Sequence, residues 1–192
     1  MNEVSREEGL HLLSEDTVRL EEYIKSCIPE AVNMVVGAAP VSAIRPKKVE
    51  LPLLTVEDGM GRIVLPADFL RLVAVKLVGW KRSVSVAYPF GSNEYHIQHN
   101  VYTRAGVNKP VCVFAFDSLG GRVLECFPAT NGVEFLLYAN VTTAGTEEIN
   151  TPTDDLFPAV CYMCASLVYD VFENPNTAER MKTIALGLVP KV

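Results

Sequence analysis

The chain lacks most of the features that would point to a chemistry. It has no net positive charge: 17 lysines and arginines stand against 23 aspartates and glutamates, giving −6. That balance excludes a general nucleic-acid binder, because non-specific attachment to phosphates needs a basic surface. No uncharged apolar run reaches the roughly eighteen residues of a membrane span. The opening MNEVSREEG carries acids where a signal peptide needs a basic start and an apolar run, so the chain is expected to be made and kept in the cytosol. No carboxylate pair, glycine-rich phosphate cradle or serine elbow is present, so no catalytic residue and no cofactor are assigned. A secreted disulfide framework is missing too. The five cysteines, Cys27, Cys112, Cys126, Cys161 and Cys164, are an odd number scattered through apolar segments and are read as reduced, buried thiols. Neither a disulfide nor a tightly held metal is expected.

What is present is a globular composition, 49% apolar and 21% charged, over 192 residues, enough for one elaborated domain or two small ones. The strongest stretch is 153–174, TDDLFPAVCYMCASLVYDVFEN. Leu156, Phe157, Val160, Cys161, Cys164, Leu167, Val168, Val171 and Phe172 recur at three- and four-residue steps, which predicts one broad buried helix face. The other side, Tyr162, Met163, Ser166, Tyr169 and Glu173, is half apolar and is expected to meet a partner. Val168 is thus read as core and Tyr169 as surface. Thr153, Asp154 and Asp155 favour a helix start, Pro158 is tolerated in the first turn, and Asn174-Pro175 ends the helix. A second helix is expected beyond it, capped by Asn176 with Glu179 at the reciprocal position.

From the N-terminus, a polar leader over 1–13 precedes a helix signal at Ser14. Helical periodicity then runs from Val18 to Gly37, and Pro29 is expected to kink or split it. Strand signals follow Pro40, Pro46 and Pro52. Segments 49–56 and 62–65 flank a turn at Glu57-Asp58-Gly59-Met60-Gly61, whose pair of glycines lacks the lysine and following helix of a phosphate loop. A long strand is predicted over 69–80 and β composition over 83–88. Strands at 111–116, 122–127 and 133–141, joined by turns at Leu119-Gly120-Gly121 and Thr130-Asn131-Gly132, are expected to form an antiparallel meander. The predicted class is α+β: N- and C-terminal helices packed together with an inserted antiparallel β-sheet lobe. Its parts are the leader 1–13, a helical arm 14–44, a β insertion 45–150 and a C-terminal helical pair 151–192.

One connection is unusually long. Residues 89–109 exceed what compact domains use without purpose, although a short helix fits 93–98. Around and within this loop stand Tyr88, Tyr95, His96, His99, Tyr102 and Arg104, types favoured at interface centres, so the loop is expected to be an assembly contact replaceable at little cost to the fold. Cys161-Tyr-Met-Cys164 has the spacing of a zinc or redox pair but lies mid-helix with no second pair, and core burial is expected. His96 and His99 would need Glu94 or Asp117 to complete a metal shell, and spacing places no third ligand. Cys112 and Cys126 fall in predicted hairpin strands, where inward thiols are inert. Arg71 and Lys76 are read as a solvated sheet face, with a charged interface patch as the alternative.

The succession Gly61-Arg-Ile-Val-Leu-Pro-Ala-Asp-Phe-Leu-Arg-Leu-Val73, the strand Arg122-Val-Leu-Glu-Cys-Phe-Pro128, and Leu156-Phe-Pro-Ala-Val160 leading into Cys164-Ala-Ser-Leu-Val-Tyr169 resemble the head-to-tail adaptor proteins of short-tailed bacteriophages, including the ring proteins of crAss-like phages. The resemblance spans roughly residues 14–188. It implies a structural virion protein at the head-tail junction and not an enzyme. The implied assembly is a homo-oligomeric ring, commonly of twelve copies, bound to the portal protein, followed by downstream tail or ring proteins, and continuing the DNA channel without sequence-specific binding. An acidic balance suits a conduit that should not hold passing DNA. The long terminal extension by which some of these adaptors grip the portal is expected to be absent after Leu186. Another neck or tail interaction protein, and an unrecognised metal-dependent enzyme, are the alternatives.

Overall fold

The computed structural model describes residues 4–50, 52–143 and 153–190, with side chains of the first helix described from Leu20 onward. The protein is α+β, and the chain divides into two compact units, 1–43 with 142–192, and 44–141.

In the helical unit, α1 (Val4–Ala38) buries Cys27, Ala31, Val32, Val35 and Val36 on one face, the four-residue recurrence predicted for it. Two expectations fail here. Helix begins at Val4, so the polar leader is not a separate segment, and Pro29 does not split α1, which continues through it to Ala38. The carbonyl that this proline leaves without a donor is that of Lys25, an exposed residue, so the lost bond does not leave a buried group unsatisfied. A 3-10 turn (Val41–Ala43) closes the arm. A second 3-10 turn (Asp154–Leu156) enters α3 (Phe157–Val171), with Pro158 in the first turn. α4 (Pro175–Leu188) follows, and its cap is Asn174, whose side chain accepts from Thr177 N; Asn176 lies inside the helix. Between α3 and α4 the chain reverses at Glu173, which has φ +54°. Its neighbours Phe172 and Asn174 donate back to Val168 O and Tyr169 O, the left-handed helix ending that glycine usually occupies.

α3 packs on both α1 and α4, and this rotates its buried face from the predicted one. Leu156, Ala159, Val160, Met163, Cys164, Ser166 and Val168 are buried, whereas Phe157, Cys161, Val171 and Phe172 are exposed. A helix between two partners buries the two stripes they touch, not the single most apolar one. Ser166 Oγ donates to Ala178 O at 2.8 Å, and Cys164 Sγ lies 3.7 Å from Ile24 O. Asn33 joins the returning chain through both amide atoms, Nδ2 to Thr142 O and Thr142 N to Oδ1, at 2.9 and 2.8 Å.

The β unit has two sheets. One orders β1 (Lys47–Lys48), β8 (Val133–Asn140) and β4 (Phe69–Leu77). The other orders β2 (Leu54–Glu57), β3 (Met60–Val64), β7 (Arg122–Phe127), β6 (Val111–Phe116) and β5 (Ala87–Tyr88). The pairings are antiparallel except for β5 with β6, which is parallel. The predicted meander is thus broken: β6 and β7 form a hairpin, but β8 joins the other sheet, pairing with β4 and β1. Pro128 has no N–H to extend the ladder, and the chain crosses over. Leu54, Ile63, Leu124 and Phe114 align across four strands, and this face shares one core with Phe69, Leu72, Val75, Leu77, Leu136 and Tyr138 of the three-stranded sheet. Lys76 pairs across the strand with Glu134 at 2.8 Å. The β2–β3 turn is Asp58-Gly59, both with positive φ, as a two-residue hairpin loop requires. The insertion expected to reach residue 150 ends at 141 by compactness, and residues 144–152 lie outside those described.

Two predictions follow from these local states. Glu173→Gly removes the cost of a side chain in the left-handed region and is expected to stabilise the protein by about 0.5–1 kcal/mol in denaturant titrations. Burial, and then the hydrogen bond to Asp68 at 3.0 Å, push the Tyr138 hydroxyl above its ordinary value of 10.0. The fold therefore favours the neutral phenol. That stabilisation is complete below about pH 10 and is lost as pH rises through the folded value. Tyr138→Phe is expected to make the alkaline decline in stability shallower, measured by urea melts at a series of pH values.

Candidate functional site

Two surfaces collect the residues singled out from sequence. The first is in the helical unit, where a groove of about 680 Å³ runs between α1 and α3. Leu20, Ile24 and Ile28 form one wall; Phe157, Cys161, Tyr169 and Phe172 are among those forming the other. The wall residues are apolar and several are open to solvent, Phe157 at 65% and Phe172 at 54%. Tyr23 and Phe172 meet edge to face at 5.7 Å, so the rim is partly ordered by its own aromatics. Burial pushes the Cys164 thiol up, with Cys27 and Cys161 adding to the shift, which makes it a poor nucleophile.

Of the partner-facing stripe expected on α3, Tyr162 and Tyr169 are exposed, and Glu173 sits exposed at the helix end. Met163 and Ser166 are corrections: both are buried, Ser166 by its bond to the α4 backbone. Cys161 moves the other way, from predicted core to exposed groove wall.

The second surface belongs to the β unit and is built by the long connection. Its helix α2 (Asn93–Gln98) is capped by Ser92, whose side chain accepts from Tyr95 N. The segment is no free loop. Met60, Val113 and Phe127 form an apolar cluster outside the main core, and Tyr95, Ala105 and Val111 pack against it. Gln98 is buried and accepts from Ala105 N at 2.8 Å. Arg104 donates from Nε to Gln98 O at 3.0 Å and from Nη1 to Asp58 O at 2.6 Å, and its guanidinium lies 5.9 Å from the Phe127 ring centroid. His99 meets the rings of Tyr95 and Phe127 edge to face, at 4.4 and 5.9 Å. The expectation that this segment can be replaced cheaply is therefore overturned, because it covers apolar residues of the central strands.

Beneath it lies a carboxylate that sequence reading passed over. Glu125 is 2% exposed; Oε1 accepts from Arg62 Nε at 3.1 Å, while Oε2 has no hydrogen-bond partner and lies 3.9 Å from His99 Nε2. A hollow of about 440 Å³ alongside is lined by Asp58, Met60, His99, Val101, Arg104 and Phe127. Alternation within Val123-Leu-Glu-Cys-Phe127 sets Glu125 on the face opposite Leu124 and Cys126, and nothing local signals that residues 93–105 cover it.

The charged groups here are occupied: Arg104 ties the segment down through two carbonyls, and Arg62 pairs with Glu125 and, at 3.6 Å, Glu57 of the neighbouring strands. Asp117, once a possible metal ligand, accepts from Leu119 N and Gly121 N in the β6–β7 turn. His96 is exposed beside Tyr95. Among the described residues no three histidine, cysteine or acidic side chains come together as a metal would require. The tip is what remains open, with Tyr102 96% and Val101 75% exposed and Tyr88 and Phe90 also accessible. Set against protein-family models and characterised proteins, the sequence gives no match. Among the described residues no helix is long and apolar enough to cross a membrane.

Arg104 and Tyr102 separate scaffold from surface. Arg104→Ala strips two carbonyls of a charged donor and is expected to cost roughly 1.5–3 kcal/mol in chemical denaturation. Tyr102→Ser should stay within about 0.5 kcal/mol of the parent. Equal behaviour of the two variants would mean that Arg104 does not hold the segment.

Proposed function

We propose that this protein is a structural subunit of a phage head-to-tail junction, a ring-forming adaptor that joins the portal to the tail and extends the DNA channel. The observation that carries this reading is the open apolar groove between α1 and α3, rimmed by Tyr169 and Phe172. A monomer gains nothing by leaving such a surface wet, and contiguous exposed apolar patches mark association sites. The motifs resembling adaptor proteins support the same reading, and so does the discontinuous helical unit, made from both ends of the chain with a β unit inserted. In the ring, commonly of twelve copies, the groove receives the neighbouring subunit, while the aromatic tip around Tyr102 and Val101 reaches the portal or the next ring. The net charge of −6 keeps DNA from adhering during passage. A second reading, another neck or tail interaction protein, draws on that same exposed tip, which a non-ring component would equally use.

Tyr169→Asp tests the ring. Tyr169 is 39% exposed on the groove, so the variant is expected to keep the parent's circular dichroism and melting while losing ring formation with the portal, scored by electron microscopy and light scattering. Val168→Asp is expected to unfold the protein, since an unpaired buried charge costs several kcal/mol, about the scale of whole-domain stability. Rings of Tyr169→Asp as abundant as the parent's would sink the groove as the subunit contact.

A further inference from the structure

Cys112 and Cys126 stand directly opposite each other on β6 and β7, two interior strands of the five-stranded sheet. Both are fully buried, and their Sγ atoms are 3.7 Å apart. Directly opposed residues in an antiparallel pair have Cα atoms about 4.5 or 5.5 Å apart, and disulfides accept Cα separations of about 4.4–6.8 Å. Bridging this pair therefore asks for side-chain rotation and no change of strand register. The thiols are also ordered. Cys112 Sγ donates to Cys126 Sγ, and Cys126 Sγ donates to Leu124 O at 3.9 Å. Neither the groove nor the covering segment uses them.

Inward thiols are inert while the sheet is closed; we propose that, on local opening of the sheet, Cys112 and Cys126 act as an oxidation site, a cross-strand dithiol that hydrogen peroxide closes to a disulfide stapling the middle of the sheet. The reaction begins at Cys126, whose sulfur accepts the Cys112 S–H. Cys126 loses its proton and attacks one peroxide oxygen; the O–O bond breaks, and the departing hydroxide takes a proton to become water. Cys126 is then a sulfenic acid. Cys112 attacks its sulfur, the S–O bond breaks, and the second hydroxide leaves as water with the Cys112 proton. Two thiols and one peroxide become one disulfide and two waters, the two electrons passing from sulfur to oxygen. Burial, followed by the neighbouring Cys126, pushes the Cys112 thiol well up, which suits it to the resolving role and not to first attack. The assembly reading plays no part in this inference.

The test uses the full chain carrying Cys27→Ala, Cys161→Ser and Cys164→Ala, treated with hydrogen peroxide and then unfolded in an alkylating reagent. The expected product has lost the mass of two hydrogens and takes no alkyl group. After cleavage at Arg122, its two cysteine peptides should stay joined until reduced. Its melting temperature is expected to rise by roughly 6–12 °C and to return on reduction. Two alkylated thiols after oxidation, or separate sulfinic acids with no crosslink, would overturn the proposal. If the triple variant does not fold, the same digest of the native chain decides by fragmentation: a Cys112–Cys126 link supports the site, and any other pairing refutes it.

Discussion

The seam between α1 and α3 is the contact on which this chain's organisation depends. Val32, Val35 and Val36 from one end of the sequence, and Leu156, Val160 and Met163 from the other, are removed from water in the unit these helices share. Each such side chain, fully buried, contributes about 1.5–3 kcal/mol. Because the partners of that seam lie more than a hundred residues apart, everything between them must leave the helical unit and return to it. Polar bonds mark both sides of the excursion. Thr153 Oγ1 donates to Ala43 O, and Asn33 holds the backbone of Thr142 through both amide atoms. The β unit is an insertion for this reason, and its autonomy follows from a core of its own.

Within that unit the central strands β6 and β7 have two apolar faces. One meets the three-stranded sheet, and the other carries Met60, Val113 and Phe127 together with the buried charge of Glu125. An antiparallel pair usually presents its second face to water; over β6 and β7 residues from the segment after β5 pack on it instead, while Val64 at the far end of β3 stays exposed. Arg104 and Gln98 tie the cover down through backbone groups, so its placement depends on where hydrogen bonds end and not on local propensity. A long connection that seems free in sequence is in this case half scaffold and half exposed tip.

The surface supporting an assembly role arises from the same economy. α3 buries two stripes against α1 and α4, and what is left over includes Phe157, Tyr169 and Phe172, apolar groups on the α1 side that α1 only partly covers. The groove is the remainder of a packing problem in which one helix has more apolar surface than its own unit can cover.

Period and punctuation alone determined a good deal. The helical runs either side of a β region, the Asp58-Gly59 and Gly120-Gly121 turns, the short helix at 93–98 and the stop at Asn174-Pro175 were legible because each depends on neighbours within a few residues: a 3.6-residue recurrence, a positive φ, a missing N–H. What sequence left open, or got wrong, depends on partners far along the chain. Met163 and Ser166 look like surface until α4 is laid over them, and Cys161 looks like core until α3 is rotated by having two neighbours. β8 looks like the third strand of a meander until it pairs with β4. Glu125 looks solvated until residues 93–105 cover it. Periodicity says that a face is apolar, but only the tertiary structure decides which element it meets, because burial is a property of pairs of surfaces and the second member of each pair is not nearby in the chain.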